Sequence, residues 1–537
     1  MTAADLVLTG GNVRTLDPAR PAARAVAVAD GKIAAVGEEH DVRDWRGPHT
    51  EVVDLQNATL TPGLTDSHTH PVWGVEMATG HDLSGCRDLD GLRAALAKAN
   101  QGTPPGGWVL GHGLDHNVFG GAPVHRDLIE DALGGAPAFL RLYDGHSALA
   151  SGAALDAAGI DGPRRFTQHA EVVCDEDGRP TGHLVEHAAM ALLDPVLPHP
   201  SAEDRKAELL AQLERMAAAG MTCTHVMDMQ EHVPGLLADI EAGGTVLPVR
   251  LRLAPWCMPG DGPGELDELV SLQRRAGRHW RVGGVKFFMD GTVEGGTAWL
   301  EHADCHGQGT DAFWPDPEEY ARAVRKLAEA GVRTATHAIG DHAVRHVLDT
   351  VAALGEQQRG RHRIEHIETL PDDQIARFAE LGVAASMQPP HTAYTRADHT
   401  DEWSRRVGEE RAARAWRCRD LRDSGAVLAL GSDWPIAHFD PRQVLASARL
   451  RRLPGALDTA PVTPEQALTG LMALEGCTSH AAAAAGEQHE AGRIAPGYRA
   501  DLTALALDPV AAPPDEVGEA PVRVTVTGGH VVHRGED

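Results

Sequence analysis

Thr65-Asp66-Ser67-His68-Thr69-His70, following Leu60-Thr61-Pro62-Gly63-Leu64, is the strongest local chemical signal in the chain. On a strand, residues i and i+2 point the same way, so the His68 and His70 imidazoles can reach one metal ion. Alternating histidines also occur on solvated strands, but this pair closes an apolar strand, where barrel enzymes place their chemistry. Lysine is informative because it is scarce: only five occur among 49 basic residues. One of them, Lys286, lies within Val282-Gly283-Gly284-Val285-Lys286-Phe287-Phe288-Met289-Asp290-Gly291. Flanked by Val285 and Phe287, its amine would be partly desolvated, which lowers its pKa and leaves it nucleophilic. Such an amine can take up carbon dioxide as a carbamate whose two oxygens bridge a pair of metals. A structural lysine paired with Asp290 or Glu294 is the other reading. Three more polar residues end later strands: His337 in Thr334-Ala335-Thr336-His337-Ala338, His366 in Arg363-Ile364-Glu365-His366-Ile367, and Asp433 in Leu428-Ala429-Leu430-Gly431-Ser432-Asp433. Each histidine taken singly reads as a hydrogen-bonded core residue. The whole set of six, on strand ends one, four, five, six and eight, would converge on a barrel axis. Imidazole and carboxylate donors without a nearby thiolate suit zinc first, and other divalent ions after it.

The elements that must position these residues follow from the alternation of short apolar runs with longer helical stretches, the pattern of βα units. Eight strands are expected at 61–68, 221–227, 247–254, 282–288, 332–338, 363–368, 383–388 and 427–432. The clearest helices are expected at 203–219 and at 317–330, the latter with an acidic first turn. Eight such units predict an α/β fold of the (β/α)8 type, with its site at the C-terminal strand ends. The stretch from about 75 to 200 is too long for a crossover and reads as an insertion over the barrel mouth. Residues 1–60 and 488–537 are β-rich and too short to hold separate cores, so they are expected to pair into one composite β-domain around a 61–487 barrel. Two independent terminal hairpins are the alternative.

Composition sets the class. The 537 residues are 42% hydrophobic and 23% charged, ordinary for a globular protein, which excludes global disorder. A net charge of −28 repels phosphate backbones and anionic lipid, arguing against nucleic acid or membrane as the main partner and for a small molecule. The 30 histidines outnumber Phe, Trp and Tyr together, which raises the prior for a metal enzyme. Met1-Thr2-Ala3-Ala4-Asp5 lacks the start of a signal peptide, and no apolar stretch approaches bilayer length. Seven scattered cysteines without a CxxC pair read as reduced thiols, so a cytoplasmic setting is expected. The base rate for oligomers favours a homodimer.

The order HxH, Lys, His, His, Asp resembles the binuclear members of the amidohydrolase superfamily. Val285-Lys286-Phe287-Phe288-Met289-Asp290-Gly291 with Glu294-Gly295-Gly296-Thr297-Ala298, Thr336-His337-Ala338-Ile339-Gly340-Asp341 and Gly431-Ser432-Asp433-Trp434-Pro435 are similar to the amidohydrolase-3 group, which includes N-substituted formamide deformylase. The resemblance implies that His68, His70 and Asp433 hold one metal, His337 and His366 a second, and carboxylated Lys286 bridges them. It also implies that Asp433 takes a proton from the nucleophilic water and passes it to the departing amine. Without carboxylation, one metal on His68, His70, His337 and Asp433 would still suffice. Within the insertion, Gly111-His112-Gly113-Leu114-Asp115-His116 and Tyr143-Asp144-Gly145-His146-Ser147 read as glycine-punctuated loops. Asp144 and His146 are the preferred substrate contacts, and Trp73 an apolar wall. The expected activity is hydrolysis of a carbon–nitrogen bond in a linear amide such as an N-formyl or N-acyl amine. A cyclic amide, carbamate or ester is the second reading, and an inactive metal-binding sensor the third. All six positions being filled, Asp433 included, argues against the third.

Overall fold

The computed structural model describes residues 3–535; Met1, Thr2, Glu536 and Asp537, which the terminal boundaries above include, lie outside the described residues. Eight parallel strands ring the centre: β1 (Leu64–Thr69), β2 (Met221–Met229), β3 (Arg250–Pro255), β4 in two pieces (Trp280–Val282 and Val285–Phe288), β5 (Thr334–Ala338), β6 (His362–His366), β7 (Ala384–Met387) and β8 (Leu428–Leu430). Continuous ladders join β1 through the first piece of β4, and the second piece of β4 through β8. Two single bridges close the ring, Trp256 with Lys286 and Thr69 with Trp434. At the second seam Asp433 N donates to His68 O at 2.8 Å and His70 N to Trp434 O at 2.9 Å. Gly431 is required there, because a Cβ would sit 2.6 Å from Asp66 Oδ1 and 2.8 Å from His68 N. Thus the seam that completes the barrel also brings Asp433 against the HxH pair.

The helices outside the ring form where the sequence signals them. Ala202–Ala218 starts at Ser201, whose side chain and that of Asp204 form a reciprocal capping box. Pro317–Glu329 starts on Asp316, which caps the Glu318 N–H, with Pro317 in the first turn. It buries Tyr320, Val324 and Leu327 on one face, the spacing that seats a helix on a sheet.

One expected strand is divided. Residues 61 and 62 belong not to the barrel but to Thr59–Pro62, which runs antiparallel to Leu502–Leu505 in a six-stranded sheet made from both chain ends. The chain passes from that sheet into β1 at Gly63, where a Cβ would meet Thr222 Oγ1 at 2.1 Å. A second, four-stranded sheet of N-terminal strands packs with it around Leu8, Val26, Leu60, Leu502 and Val526. Between β1 and β2, the long segment builds a six-stranded sheet of its own, spanning His81 to Val185. The run around His112, read above as a loop, is strand Val109–Leu114, paired in parallel with Ala138–Leu142. Its apolar ends, Val109 and Leu114, are fully buried beside Leu140, and that packing outweighs the glycines. Among the described residues no helix is long and apolar enough to cross a membrane.

Buried Glu487 ties the chain beyond β8 back to the barrel: it accepts from Arg252 of β3 at 3.1 Å, and pairs with Arg281 and Arg499. These guanidiniums outweigh the cost of burial and hold its carboxyl down to about 2, against an ordinary 4.5. A lowered carboxylate contributes stability above its unfolded pKa and loses it as pH falls through its folded one. Glu487→Gln is therefore expected to cost about 3 kcal/mol in urea unfolding at neutral pH. The advantage of the native chain should shrink as pH falls from 4.5 towards 2; a constant difference would show that charge pairing is not its source.

Candidate metal centre

All six strand-end residues face one buried cavity of about 50 Å³, also lined by Trp73, Asp144, His146, Trp256, Phe288 and His391 among others. A wider cleft between the terminal sheets and the barrel is lined by Arg250 and Arg499, but both pair with Asp501, and among the described residues its histidines and carboxylates form no group within ligand distance of one another.

His68 is fixed first. Its Nδ1 lies 2.7 Å from Glu365 Oε2, leaving Nε2 to face Asp433 Oδ1 at 3.5 Å. His70 Nε2 lies 3.1 Å from the same oxygen. Donors arranged tetrahedrally about 2.1 Å from a zinc ion are about 3.4 Å apart, so these separations suit one ion. Asp433 Oδ1 and His70 Nδ1 are buried without a hydrogen-bond partner, the state expected of groups built for a cation. His70 Nδ1 faces Asp228 Oδ1 of β2 at 3.7 Å. Backbone at positive φ turns the ligands inward at both strand ends: Asp433 at +61°, His366 at +74° and Ile367 at +52°. Such conformations cost non-glycine residues energy and concentrate at functional sites.

A second cluster sits on the other carboxylate oxygen. Asp433 Oδ2 is 3.8 Å from His366 Nδ1 and 3.9 Å from His391 Nε2, and these three form a ligand-distance group. His391 comes from the turn Pro389–Tyr394 after β7. Nothing in the sequence marks it, because a lone loop histidine follows no strand-end pattern. His337 lies beside this group, its ring centroid 4.4 Å from that of His366. Its Nε2 is tied to Gly291 O at 3.0 Å, so only Nδ1 is free. Lys286 is 1% exposed, with Nζ 3.4 Å from His68 Nε2. Among the described residues it forms no ion pair, so the pairing with Asp290 or Glu294 considered above is absent. Asp290 instead accepts the backbone N–H groups of Trp299, Ile339 and Gly340.

The electrostatics match this geometry. Burial, then Lys286, lowers His68 to about 4. Burial first, and neighbouring cationic groups after it, put His337 and His366 well below the ordinary range. These imidazoles therefore offer lone pairs at neutral pH. Burial also lowers Lys286, to about 8. For His70, burial is more than offset by Asp228 and Asp433, which raise it to about 9. The negative charge that draws a proton to His70 draws a dication equally. Burial would raise Asp433, but His68 and His70 hold it below the carboxylate range.

Glu365, which sequence reasoning passed over inside its own motif, carries the outer support. Arg363 binds it through both carboxylate oxygens and donates to Ser67 O at 2.5 Å and Ser386 Oγ at 2.8 Å. Carboxylates behind ligating histidines set the tautomer and ring angle. Glu365→Gln is expected to weaken metal binding about 10- to 100-fold. Competition against a chelator measures this, and unchanged affinity would leave Glu365 a packing residue only.

The insertion residues fall into two kinds. Asp144 lines the cavity, but its oxygens are engaged by His116 Nε2 at 3.0 Å, His146 N at 3.0 Å and Ser147 N at 3.2 Å. It therefore brackets its own turn. His146 is held by Nδ1 at 2.8 Å from Glu186 Oε2, and its ring centroid is 5.0 Å from that of His337. Trp73 stands edge-on to His70 and Trp256, at 5.7 and 5.9 Å between centroids.

Residues 51–533 match the model of a family described as the Amidohydrolase family. The chain is similar to the protein LONG AFTER FAR-RED 3 of Arabidopsis thaliana, at 29% identity over 94% of this chain and 88% of that protein. It is also similar to N-substituted formamide deformylase of Arthrobacter pascens, at 29% identity over 98% of this chain and 97% of that enzyme. Among solved structures, an uncharacterized metal-dependent hydrolase from Pyrococcus horikoshii OT3 superposes with a TM-score of 0.72 at 25% identity. That match covers 95% of this chain and 99% of the other.

Proposed function

This chain belongs to the amidohydrolase family and is a metal-dependent amidohydrolase, and from that premise we propose that it hydrolyses the carbon–nitrogen bond of a linear N-formyl or N-acyl amine. The observation that carries this reading is the convergence of His68, His70 and Asp433 on one point with Asp433 Oδ1 unpartnered. Similarity to a formamide deformylase over nearly the whole chain supports the formyl or acyl class.

His68, His70 and Asp433 would hold one ion, with zinc favoured by the donor set, and His337 and His366 a second bridged by carboxylated Lys286. His391, within ligand distance of His366 and Asp433, is available to that second position. Bound there, a divalent ion polarises the scissile carbonyl and lowers the pKa of a coordinated water. The chain's own part is to aim and to move protons. Glu365 keeps the Nε2 lone pair of His68 directed inward, and Trp73, Trp256 and Phe288 exclude bulk water. Asp433, held ionised by His68 and His70, accepts a proton from the attacking water and returns it to the departing nitrogen. His146, buttressed by Glu186, contacts the substrate carbonyl side of the cavity.

Metal-reconstituted protein assayed on linear formyl and acyl amines, cyclic amides, carbamates and esters tests the proposal. Highest kcat/KM on the linear amides is expected. Cleavage of the cyclic amides, carbamates or esters alone would replace it, and no cleavage by fully metallated protein would favour a binding role.

A further inference from the structure

The insertion over the barrel mouth carries a carboxylate–imidazole pair that belongs to neither ligand-distance group. Strand Ser147–Ala150 runs antiparallel to Pro180–Val185 with Ser147 opposite Val185, so the next step of that ladder sets His146 against Glu186. Their backbones join there, Glu186 N donating to His146 O at 2.6 Å. Their side chains join as well, with His146 Nδ1 2.8 Å from Glu186 Oε2. Glu186 is fully buried, and its other oxygen accepts the Thr297 hydroxyl at 2.7 Å. A carboxylate on Nδ1 fixes the angle of an imidazole ring and leaves Nε2 to act. In His146 that second nitrogen has no hydrogen-bond partner among the described residues, and the ring lines the metal cavity.

Holding Glu186 in this place costs backbone energy. The residue sits at φ +69° and ψ 161°, a conformation nearly reserved for glycine. Room for its carboxylate comes from the loop after β4, where a Cβ on Gly291 would collide with Glu186 Oε1 and with Thr297 Oγ1. Strain of this kind persists where the surroundings over-determine it, and it clusters at active sites. The Thr297 contact alone would serve to dock the insertion on the barrel. The second oxygen instead ends on an imidazole whose free nitrogen opens into the cavity, with its ring centroid 5.0 Å from that of His337.

We propose that the contact of His146 with the substrate is catalytic and that Glu186 is its positioning residue, aiming Nε2 at the scissile amide through the transition state. This inference rests on the amide reading above. Its test uses the metallated enzyme on linear amides such as N-formylbutylamine, with E186G, H146F and the double variant. Glycine suits the backbone at 186, so E186G removes the carboxylate with little disturbance of the chain. E186G is expected to lower kcat by roughly 10- to 100-fold, the cost of misplacing a reacting group by about 1 Å. KM should stay near its native value, as for an interaction realised in the transition state. H146F should lose at least as much, and adding E186G to it should cost nothing further, because the carboxylate then has nothing to aim. Metal per chain should match the native enzyme in all three variants. Should E186G not fold, E186Q, which keeps the side-chain volume, is read in the same way. Losses that multiply in the double variant, or native kcat per folded chain in E186G, make Glu186 a docking residue and overturn the inference while leaving the amide reading standing. Metal lost in step with activity also overturns it, by making His146 a ligand. If the native enzyme cleaves no linear amide, the amide reading fails, and the same cycle on the substrate class it does cleave decides the inference. If it cleaves nothing, a crystal structure of E186G decides: a His146 ring turned away from the cavity supports the inference, and an unmoved ring overturns it.

Discussion

Asp433→Asn is expected to lower kcat by about a thousand-fold or more while metal remains bound. Asparagine keeps the shape and one oxygen donor, and the His68–Glu365 and His70 contacts stay in place, so ligation is weakened rather than lost. What disappears is the proton acceptor, a function worth about 10² to 10⁴ in rate. Asp433 stands at the crossing of both histidine clusters, its Oδ1 facing His68 and His70 and its Oδ2 facing His366 and His391. No other carboxylate among the described residues occupies that position. Steady-state kinetics with parallel metal analysis checks this, and turnover near that of the native enzyme would remove Asp433 from proton transfer.

Lys286→Met is the second large effect. The substitution keeps an apolar stem between Val285 and Phe287 and removes the amine, so the fold should survive with its barrel closed. A fully buried lysine whose Nζ, among the described residues, meets His68 and the face of Phe288 without an ion pair gains little stability from its charge. Its burial there is explained if the amine is consumed in a carbamate. The variant is therefore expected to bind about one metal fewer per chain and to lose about a hundred-fold or more in kcat/KM. Reconstitution in bicarbonate-free buffer should lower metal uptake by the native protein and leave the variant unaffected. A variant with native metal stoichiometry would make Lys286 a structural residue.

The barrel strands were legible because apolar runs closed by His, Lys or Asp stand out against amphipathic helices. Where one run served two sheets, as at Thr59–Thr69, the sequence shows a single apolar stretch, and only pairing with Leu502–Leu505 reveals the break. His68, His70, Lys286, His337, His366 and Asp433 were legible for the same reason: a strand-end position fixes where a side chain points. His391 was not, because it owes its place to a turn whose direction local sequence does not encode; Asp228 was not, because it lies inside β2 with nothing in its own run to mark it.

The sequence by itself determined the class of chemistry, since residue types at strand ends set which donors can meet on a barrel axis. The scarcity of lysine likewise marked one amine as unusual. Tertiary structure decided which donors actually meet, because a ligand set is a matter of a few tenths of an ångström between elements hundreds of residues apart. It set Lys286 against His68 rather than against the carboxylate of the alternative reading, and added His391 to the second cluster. It also set Asp433 between the two histidine clusters, a carboxylate that composition counts only as part of the net −28. Charge in a sequence is a sum; in the folded cavity its position relative to burial gives it chemical meaning.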